Sequence, residues 1–371
     1  MTMAESRGPA RDLPSKEFAG RTRLLRERVS LDRLDAVLIF TEVNRYYFTG
    51  LQTSNGLLLV QRRQPPAFYT DFRYLVMARR CLSFMPSHEL WRAADEPSVL
   101  AAMGQAWRRV GYEGQLDAAR FNRLKAALPK VEWVDVGAAL SEMRAVKSPA
   151  EQRVVRAAVA ANDQLFDEVL RQLSPGQTEW DVRNAVRAWA DRLGQGEAFE
   201  TIACVGRNAA ECHHHPDETV LRRGQSLLID LGVRLDHYCS DMTRSIFFGA
   251  PTPLYREIRG IVLEANRRAI RAIRPGRRCS EIDAVARQHI EKAGYGAHFG
   301  HGLGHSLGLE IHESPSFSSV CKTELKPGMV LTVEPGIYLP GRLGVRIEDV
   351  ILVTRNGCEV LSQTPRELVV D

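Results

Sequence analysis

Two segments of this chain echo one another. LSPGQTEWDVRNAVRAWADRLG begins at Leu173 and IRPGRRCSEIDAVARQHIEKAG begins at Ile273. Both run Pro-Gly, then Thr/Ser-Glu-x-Asp, then a helix-like pattern ending near glycine. A single Pro-Gly start means little. Two matched segments, each ahead of strand-like and chemically rich sequence, mark a duplicated half-domain. Helices and strands interleave, yet several strand pairs read as hairpins. The expectation is an α+β fold with a mainly antiparallel sheet and the active site between the halves.

The echo occupies only the later part of 371 residues. At about 100–200 residues per domain, the length predicts two domains. Residues 1–20 are polar with Pro and Gly, and read as a flexible tail with the first helix following. LDAVLIF (34–40), NGLLLVQ (55–61) and PAFYTDF (66–72) read as buried strands. SVLAAMGQAWRRVG followed by VEWVDV continues a helix–strand alternation, so residues 21–147 are expected to form a smaller α/β domain. Ser148 is a predicted N-cap, Pro149 the first helical residue, and Glu151 the third. The boundary is placed at about Lys147, with the larger domain over 148–371.

Composition excludes several classes. The net charge of +5 is mild and no lysine/arginine block stands out, which argues against a nucleic-acid partner. No run approaches the roughly 18 apolar residues of a membrane span. The N-terminus has no apolar core of signal-peptide type. Seven cysteines, an odd number without a CxxC pair, favour free thiols in a reducing compartment. A cytoplasmic protein is expected.

Acidic residues stand where strands should bury apolar ones. In SLLIDLGVRLDHYCSDMTRSIFF (226–248) a turn near Leu235–Asp236 places Asp230 opposite Asp241. Facing Cβ atoms lie about 4.5–5.5 Å apart and like charges there repel. A bound cation offsets the repulsion; Arg234 or Arg244, or a different register, is the alternative. In TVEPG, Glu334 ends an apolar strand just before Pro335. In VRIEDVILV, Arg346 and Glu348 share one face; taken alone, a buried structural pair or a solvent-facing side accounts for them more simply.

HGLGHSLGLEIHE (301–313) holds three of the ten histidines. As a helix, each of Gly302, Gly304 and Gly308 costs about 1 kcal/mol relative to alanine, so that reading loses. As a strand, His301 and His305 share a face and His312 has opposite parity. A bend, placed at Gly308, is needed for all three to line one site. His213, His214 and His215 fall in a loop before the Asp230 strand; Cys204 and Cys212 read as incidental thiols because finger-like spacing is absent.

In this order, DLGVRLDHYCSDMTRS, HGLGHSLGLEIHE, TVEPGIYLP and RIEDV resemble the pita-bread metallopeptidases, nearest the Xaa-Pro aminopeptidase and Xaa-Pro dipeptidase (prolidase) group. LDAVLIFTEVNRYYFTGLQTSNG and YTDFRY resemble its creatinase-type N-terminal domain, and MRAVKSPAEQRVVRAA resembles its linker and first catalytic helix. The resemblance implies five metal ligands: Asp230, Asp241, His305, Glu334 and Glu348. It further implies that Asp241 and Glu348 bridge two ions, that Asp230 completes one site, and that His305 with Glu334 completes the other. His213, His301 and His312 would face substrate, with Arg346 beside the last ligand. A homodimer and a peptide substrate with proline second are implied likewise.

The chemistry of that set is consistent. Four carboxylates and one imidazole suit Mn²⁺, or Co²⁺ or Zn²⁺ in vitro. Two ions about 3.5–4 Å apart lower the pKa of a shared water. His312 would stabilise the oxyanion, and Glu334 would carry the proton to the leaving nitrogen. Arg346 would orient Asp230 or meet a product carboxylate. The imide nitrogen before proline has no N–H, so its subsite needs no acceptor. Small departures fall at Cys212, Ser306 and Ser245, where the group often has proline, glycine and threonine. A non-catalytic pita-bread module would be expected to lose ligands, and a metal-free creatinase-like hydrolase would not need Asp230, Asp241 and Glu334 together. Dipeptidase against aminopeptidase stays open.

Overall fold

The computed structural model describes residues 13–31, 33–90 and 95–370. The chain divides into two compact units, Asp12–Arg144 and a unit containing Ala145–Asp371.

In the first unit, helix α1 (Ser15–Leu31) precedes β1 (Ala36–Ile39), α2 (Glu42–Thr49), β2 (Leu57–Gln61) and β3 (Ala67–Thr70). Then come α3 (Phe72–Cys81), β4 (Ser87–Glu89), α4 (Glu96–Met103), β5 (Arg109–Tyr112), α5 (Ala118–Ala127), β6 (Glu132–Asp135) and α6 (Gly137–Ala145). The strands form one mixed sheet in the order β4-β3-β2-β1-β5-β6. Leu38, Leu59, Leu100 and Val110 fill the core on one side of it. The tail expected over 1–20 is corrected where it can be judged. Residues 1–12 lie outside the described residues, and the chain is helical from Ser15. Phe18, Leu25 and Val29 recur at helical spacing and are buried, which holds that segment down.

The second unit shows the duplication directly. Its first half runs α7 (Pro149–Gln172), α8 (Glu179–Leu193), β7 (Ile202–Val205), β8 (Ser226–Leu231), β9 (Arg234–Leu235), β10 (Tyr238–Cys239) and β11 (Met242–Phe248). Its second half runs α9 (Pro253–Ala272), α10 (Cys279–Lys292), β12 (Gly304–Ser306), β13 (Glu313–Phe317) and β14 (Val330–Val333). It ends in β15 (Gly336–Leu339), β16 (Leu343–Arg346), β17 (Asp349–Val353), β18 (Cys358–Val360) and β19 (Leu368–Val370). The sheets have the orders β19-β11-β8-β7 and β13-β12-β14-β17-β18. Every pairing in them is antiparallel except β11 with β19.

Each half packs a helix pair on its own sheet. Leu165, Phe166, Val182 and Val186 meet Leu227 and Ile229 in one core. Ile258, Val262 and Ile282 meet Leu331, Val333 and Ile351 in the other. Full burial of such a side chain contributes roughly 1.5–3 kcal/mol. Helix α7 starts as its sequence requires: Ser148 caps it, Pro149 is first, and Ser148 and Glu151 exchange reciprocal bonds. The echo aligns from Pro-Gly onward. Thr178 and Arg278 are the equivalent caps, and their backbone N–H groups reach Asp181 and Glu281. The Thr/Ser-Glu-x-Asp match is therefore displaced by two residues, because Ser280 already lies inside α10.

Candidate active site

Strands β8 and β11 bring up the first pair of acids, in a register that corrects the expected one. Asp230 faces Thr243, not Asp241. The cause is the turn. Asp236 and His237 both have positive φ, 46° and 68°, and form a two-residue loop between Leu235 and Tyr238. That is the primed turn that matches strand twist, and it sits one residue later than expected. The shift is two residues, so parity survives: Asp241 remains on the face of Asp230, one diagonal step away.

The second half supplies the rest. Glu334 lies just past β14, its N–H bonded to Leu303 O at 2.8 Å. Arg346 ends β16, and Glu348 falls in the break before β17, with its N–H on Thr243 O at 3.1 Å. The run VRIEDVILV is thus two strands with Ile347 and Glu348 between them. His305 sits on β12. The register of β12 against β13 shifts between His305 and Ser306, so the irregularity lies there and not at Gly308. Gly308 has a different duty: a Cβ there would come within 2.7 Å of the Glu313 carboxylate.

Asp230, Asp241, His305, Glu334 and Glu348 line one cavity of about 680 Å³, together with His213, His301, His312 and Arg346. Ligand atoms of Asp241, His305 and Glu348 all lie within 4.8 Å of one another. His305 Nε2 is 3.5 Å from Asp241 Oδ2 and 3.4 Å from Glu334 Oε1. Burial, then the neighbouring His312, lowers the His305 pKa to about 4, so its ring is neutral at neutral pH. Its Nδ1 faces Ser306 O at 3.2 Å and must donate there. Nε2 then presents a lone pair to two carboxylates, an arrangement that a cation between them resolves.

Charge balance makes the same demand. Among the described residues lining the cavity, Arg346 is the one arginine or lysine, against five carboxylates, those of Glu200, Asp230, Asp241, Glu334 and Glu348. Burial first, and then the mutual repulsion of these acids, pushes Asp241 and Glu348 well above the usual carboxylate range. Burial followed by the Asp230 charge, against the pull of Arg346, raises Glu334 to about 8. Asp230 Oδ1 and Glu348 Oε1 are buried without a hydrogen-bond partner. Buried oxygens of this kind are rarely left unsatisfied, so divalent ions fit the donor set.

The arginines resolve the alternatives left by the sequence. Arg244 is spent on Asp349 and on the carbonyls of Thr243, Glu348, Thr364 and Pro365, and Arg234 reaches Ala198 O. Neither neutralises Asp230 or Asp241. Arg346 does part of that work. Its Nη2 meets Asp230 Oδ2 at 2.6 Å, its Nε donates to Thr243 Oγ1 at 2.9 Å, and its Nη1 donates to Tyr338 OH at 3.0 Å. Thr243 Oγ1 in turn donates a hydrogen bond to Glu348 Oε2 at 2.7 Å.

Tyr338 and Thr243 are site residues that sequence reasoning missed. The signal for Thr243 was its shared parity with Asp241. Tyr338 carried none beyond its place in EPGIY. The acceptors fix the proton roles here. His301 Nδ1 faces Gly302 O at 2.8 Å and donates, so Nε2 accepts from Tyr338 OH at 2.8 Å. Both ring nitrogens of His301 are therefore engaged within the protein. His312 packs edge-on to His305, ring centroids 4.4 Å apart.

The triple histidine splits into three different environments. His213 is exposed and lines the cavity. His214 Nε2 meets Glu179 Oε2 at 2.8 Å, while His215 is 85% exposed near Glu200. Glu179, fully buried at the start of α8, also accepts from Val205 N, Asn208 Nδ2 and Asp217 N. It pins the histidine loop to α8. Cys204 is buried in the core. Cys212 lines the cavity with its thiol pKa raised by burial, so it is a poor ligand.

Comparison with known proteins places this geometry. Residues 153–355 match metallopeptidase family M24, and residues 21–146 match the creatinase/prolidase N-terminal domain. An Xaa-Pro dipeptidase from Pyrococcus furiosus is 34% identical over 342 residues, 91% of this chain and 95% of its own length. The crystal structure of the prolidase from Pyrococcus horikoshii OT3 superposes with a TM-score of 0.89 at 33% identity, covering 94% of this chain and 99% of that one. An X-Pro aminopeptidase from Thermotoga maritima MSB8 gives 0.85 at 32% identity, over 93% of this chain and 100% of its own.

Proposed function

We propose, since the chain belongs to metallopeptidase family M24, that it hydrolyses the Xaa-Pro bond of dipeptides and short peptides. The observation that carries the metal-dependent reading is the neutral His305 Nε2 aimed between the carboxylates of Asp241 and Glu334. The relatives named above supply the substrate class.

Asp230, Asp241, His305, Glu334 and Glu348 are the residues that would hold two divalent ions. Bound there, such ions polarise a carbonyl and acidify water near neutral pH. An oxygen-rich set with one imidazole supports Mn²⁺ over a thiolate-type zinc site. Arg346 orients Asp230. Its engaged nitrogens support that role over a contact with a product carboxylate. Thr243 and Tyr338 hold Arg346 in turn. Glu334 takes the proton of the attacking water and returns it to the leaving imide nitrogen. His312 donates to the developing oxyanion. His213 holds the residue after the scissile bond. His301, with both nitrogens engaged, walls the same side through its ring.

Among the described residues no helix is long and apolar enough to cross a membrane. A cytoplasmic homodimer with no nucleic-acid partner completes the reading, and sedimentation of the purified protein tests the dimer.

The deciding experiment reconstitutes the protein with Mn²⁺, Co²⁺ or Zn²⁺ and compares Xaa-Pro dipeptides with Xaa-Pro-Yaa peptides. Hydrolysis of either class, abolished in Asp241→Ala, is expected. No turnover with any of the three metals sinks the function. Full activity in Asp241→Ala sinks the site.

A further inference from the structure

The segment 305–313 carries a ligand at one end and a catalytic histidine at the other, and something must hold both ends at once. Ser306 follows His305, and Glu313 follows His312. One buried ammonium reaches both. Lys147 Nζ lies 3.0 Å from Glu313 Oε2 and 3.2 Å from Ser306 Oγ. The side chains of Lys147 and Glu313 are 1% and 4% exposed.

The brace is anchored at each of its ends. Lys147 N donates to Gly328 O at 2.9 Å, and Gln152 Nε2 donates to Lys147 O at 2.8 Å, so the lysine backbone is fixed. Ser306 Oγ donates onward to Val330 O at 2.9 Å and is therefore an acceptor for the ammonium. Glu313 Oε1 accepts the N–H groups of Leu309 and Glu310, at 3.1 and 3.3 Å. The carboxylate thus clasps the bend between the histidines from inside, in space left by Gly308. Cys239 N on the facing strand meets Gly308 O at 2.7 Å and closes the other side.

We propose that Lys147 is a positioning residue: its ammonium, through Ser306 and Glu313, sets His305 and His312 relative to one another. The assignment rests on the peptidase reading above. It explains three residues of HGLGHSLGLEIHE that the chemistry leaves unused, namely Ser306, Gly308 and Glu313. A buried pair of this sort is no more stabilising than well-packed apolar side chains. Its work here is placement.

Two measurements test it. Amide hydrogen exchange of Lys147→Met should rise across residues 307–313 while α7 and α9 keep their protection; unchanged exchange there overturns the proposal. With Mn²⁺ and an Xaa-Pro dipeptide, Lys147→Met should lose kcat by about 10–100-fold, the scale of a small misplacement of catalytic groups, with KM nearly unchanged. In a His312→Ala background the same substitution should cost clearly less than it does in the wild type, because the share of its effect carried by His312 is already gone. An equal, multiplicative loss in that background overturns the proposal. Should Lys147→Met misfold, Lys147→Met/Glu313→Leu removes the orphaned carboxylate and restores folding; wild-type kcat in that variant also overturns it. If the wild type itself proves inert on Xaa-Pro substrates, the substrate reading falls, and the exchange measurement alone still decides the role of Lys147.

Discussion

Tyr338 carries a single hydroxyl between a guanidinium and an imidazole. Accepting from Arg346 and donating to His301, it completes a chain from Asp230 to the cavity wall. Tyr338→Phe leaves both neighbours without that partner while preserving the ring. A fall in kcat/KM of about tenfold and a stability loss of about 1–3 kcal/mol are expected, read from steady-state kinetics and denaturant unfolding. Wild-type values for both would show the chain to be idle. Residue roles were unevenly legible. The five proposed ligands could be read as a set only through the family resemblance, because taken alone Glu348 passes for half of a buried pair with Arg346. Tyr338, Thr243 and Lys147 could not, since a tyrosine, threonine or boundary lysine is ordinary until its partners arrive from segments far along the chain. Arg346 stood between: its sequence position allowed two roles, and its three engaged nitrogens favour one.

At the scale of elements, the Asp236–His237 turn decides which residues face each other across β8 and β11. Both positions have positive φ, a region that glycine enters without strain and a β-branched side chain hardly at all. His237→Gly should therefore raise stability by up to about 1 kcal/mol, whereas His237→Val should lower it by about 1–2 kcal/mol and weaken metal uptake with it. Thermal melts with and without Mn²⁺ separate the two effects, and a valine variant as stable as wild type would count against the turn as register-setter. Ser148→Ala should cost about 1 kcal/mol by removing the cap of α7. The cap was readable because its rules are local. The register was read two residues off because turn position is set by backbone twist. The acids still came out on one face, since a shift of two preserves alternation. The bend at 305–313 was misplaced for a related reason: glycine marked it, but at Gly308 the need is room for Glu313, and the register shift falls beside His305.

Across the whole molecule, the site joins Asp230 and Asp241 from one half to His305, Glu334 and Glu348 from its duplicate. The signs of the pKa shifts give the stability an asymmetric pH response. Glu334 is raised from its ordinary 4.5 to about 8, so its contribution to the metal-free protein is present below about pH 4.5 and lost as pH rises toward 8. His301 and His305 are lowered to about 4, so theirs is lost as pH falls from about 6.5 to 4. Divalent ions need the carboxylates ionised, so the gain in Tm on adding Mn²⁺ should grow from about pH 6 to about pH 8. A gain independent of pH would remove these acids from the ligand set. The duplication itself was legible as an echo of Pro-Gly and acidic residues. Which strands of the two copies would sit side by side was not, because pairing between distant segments leaves no local pattern. That division of the site between two halves also has a kinetic consequence. Neither half holds all five candidate ligands, so a docking of the halves that follows the rate-limiting barrier to folding would leave the ions most of their grip on its native side. Metal should then slow unfolding while leaving the refolding rate unchanged, and the loaded enzyme would persist through slow escape from the native state.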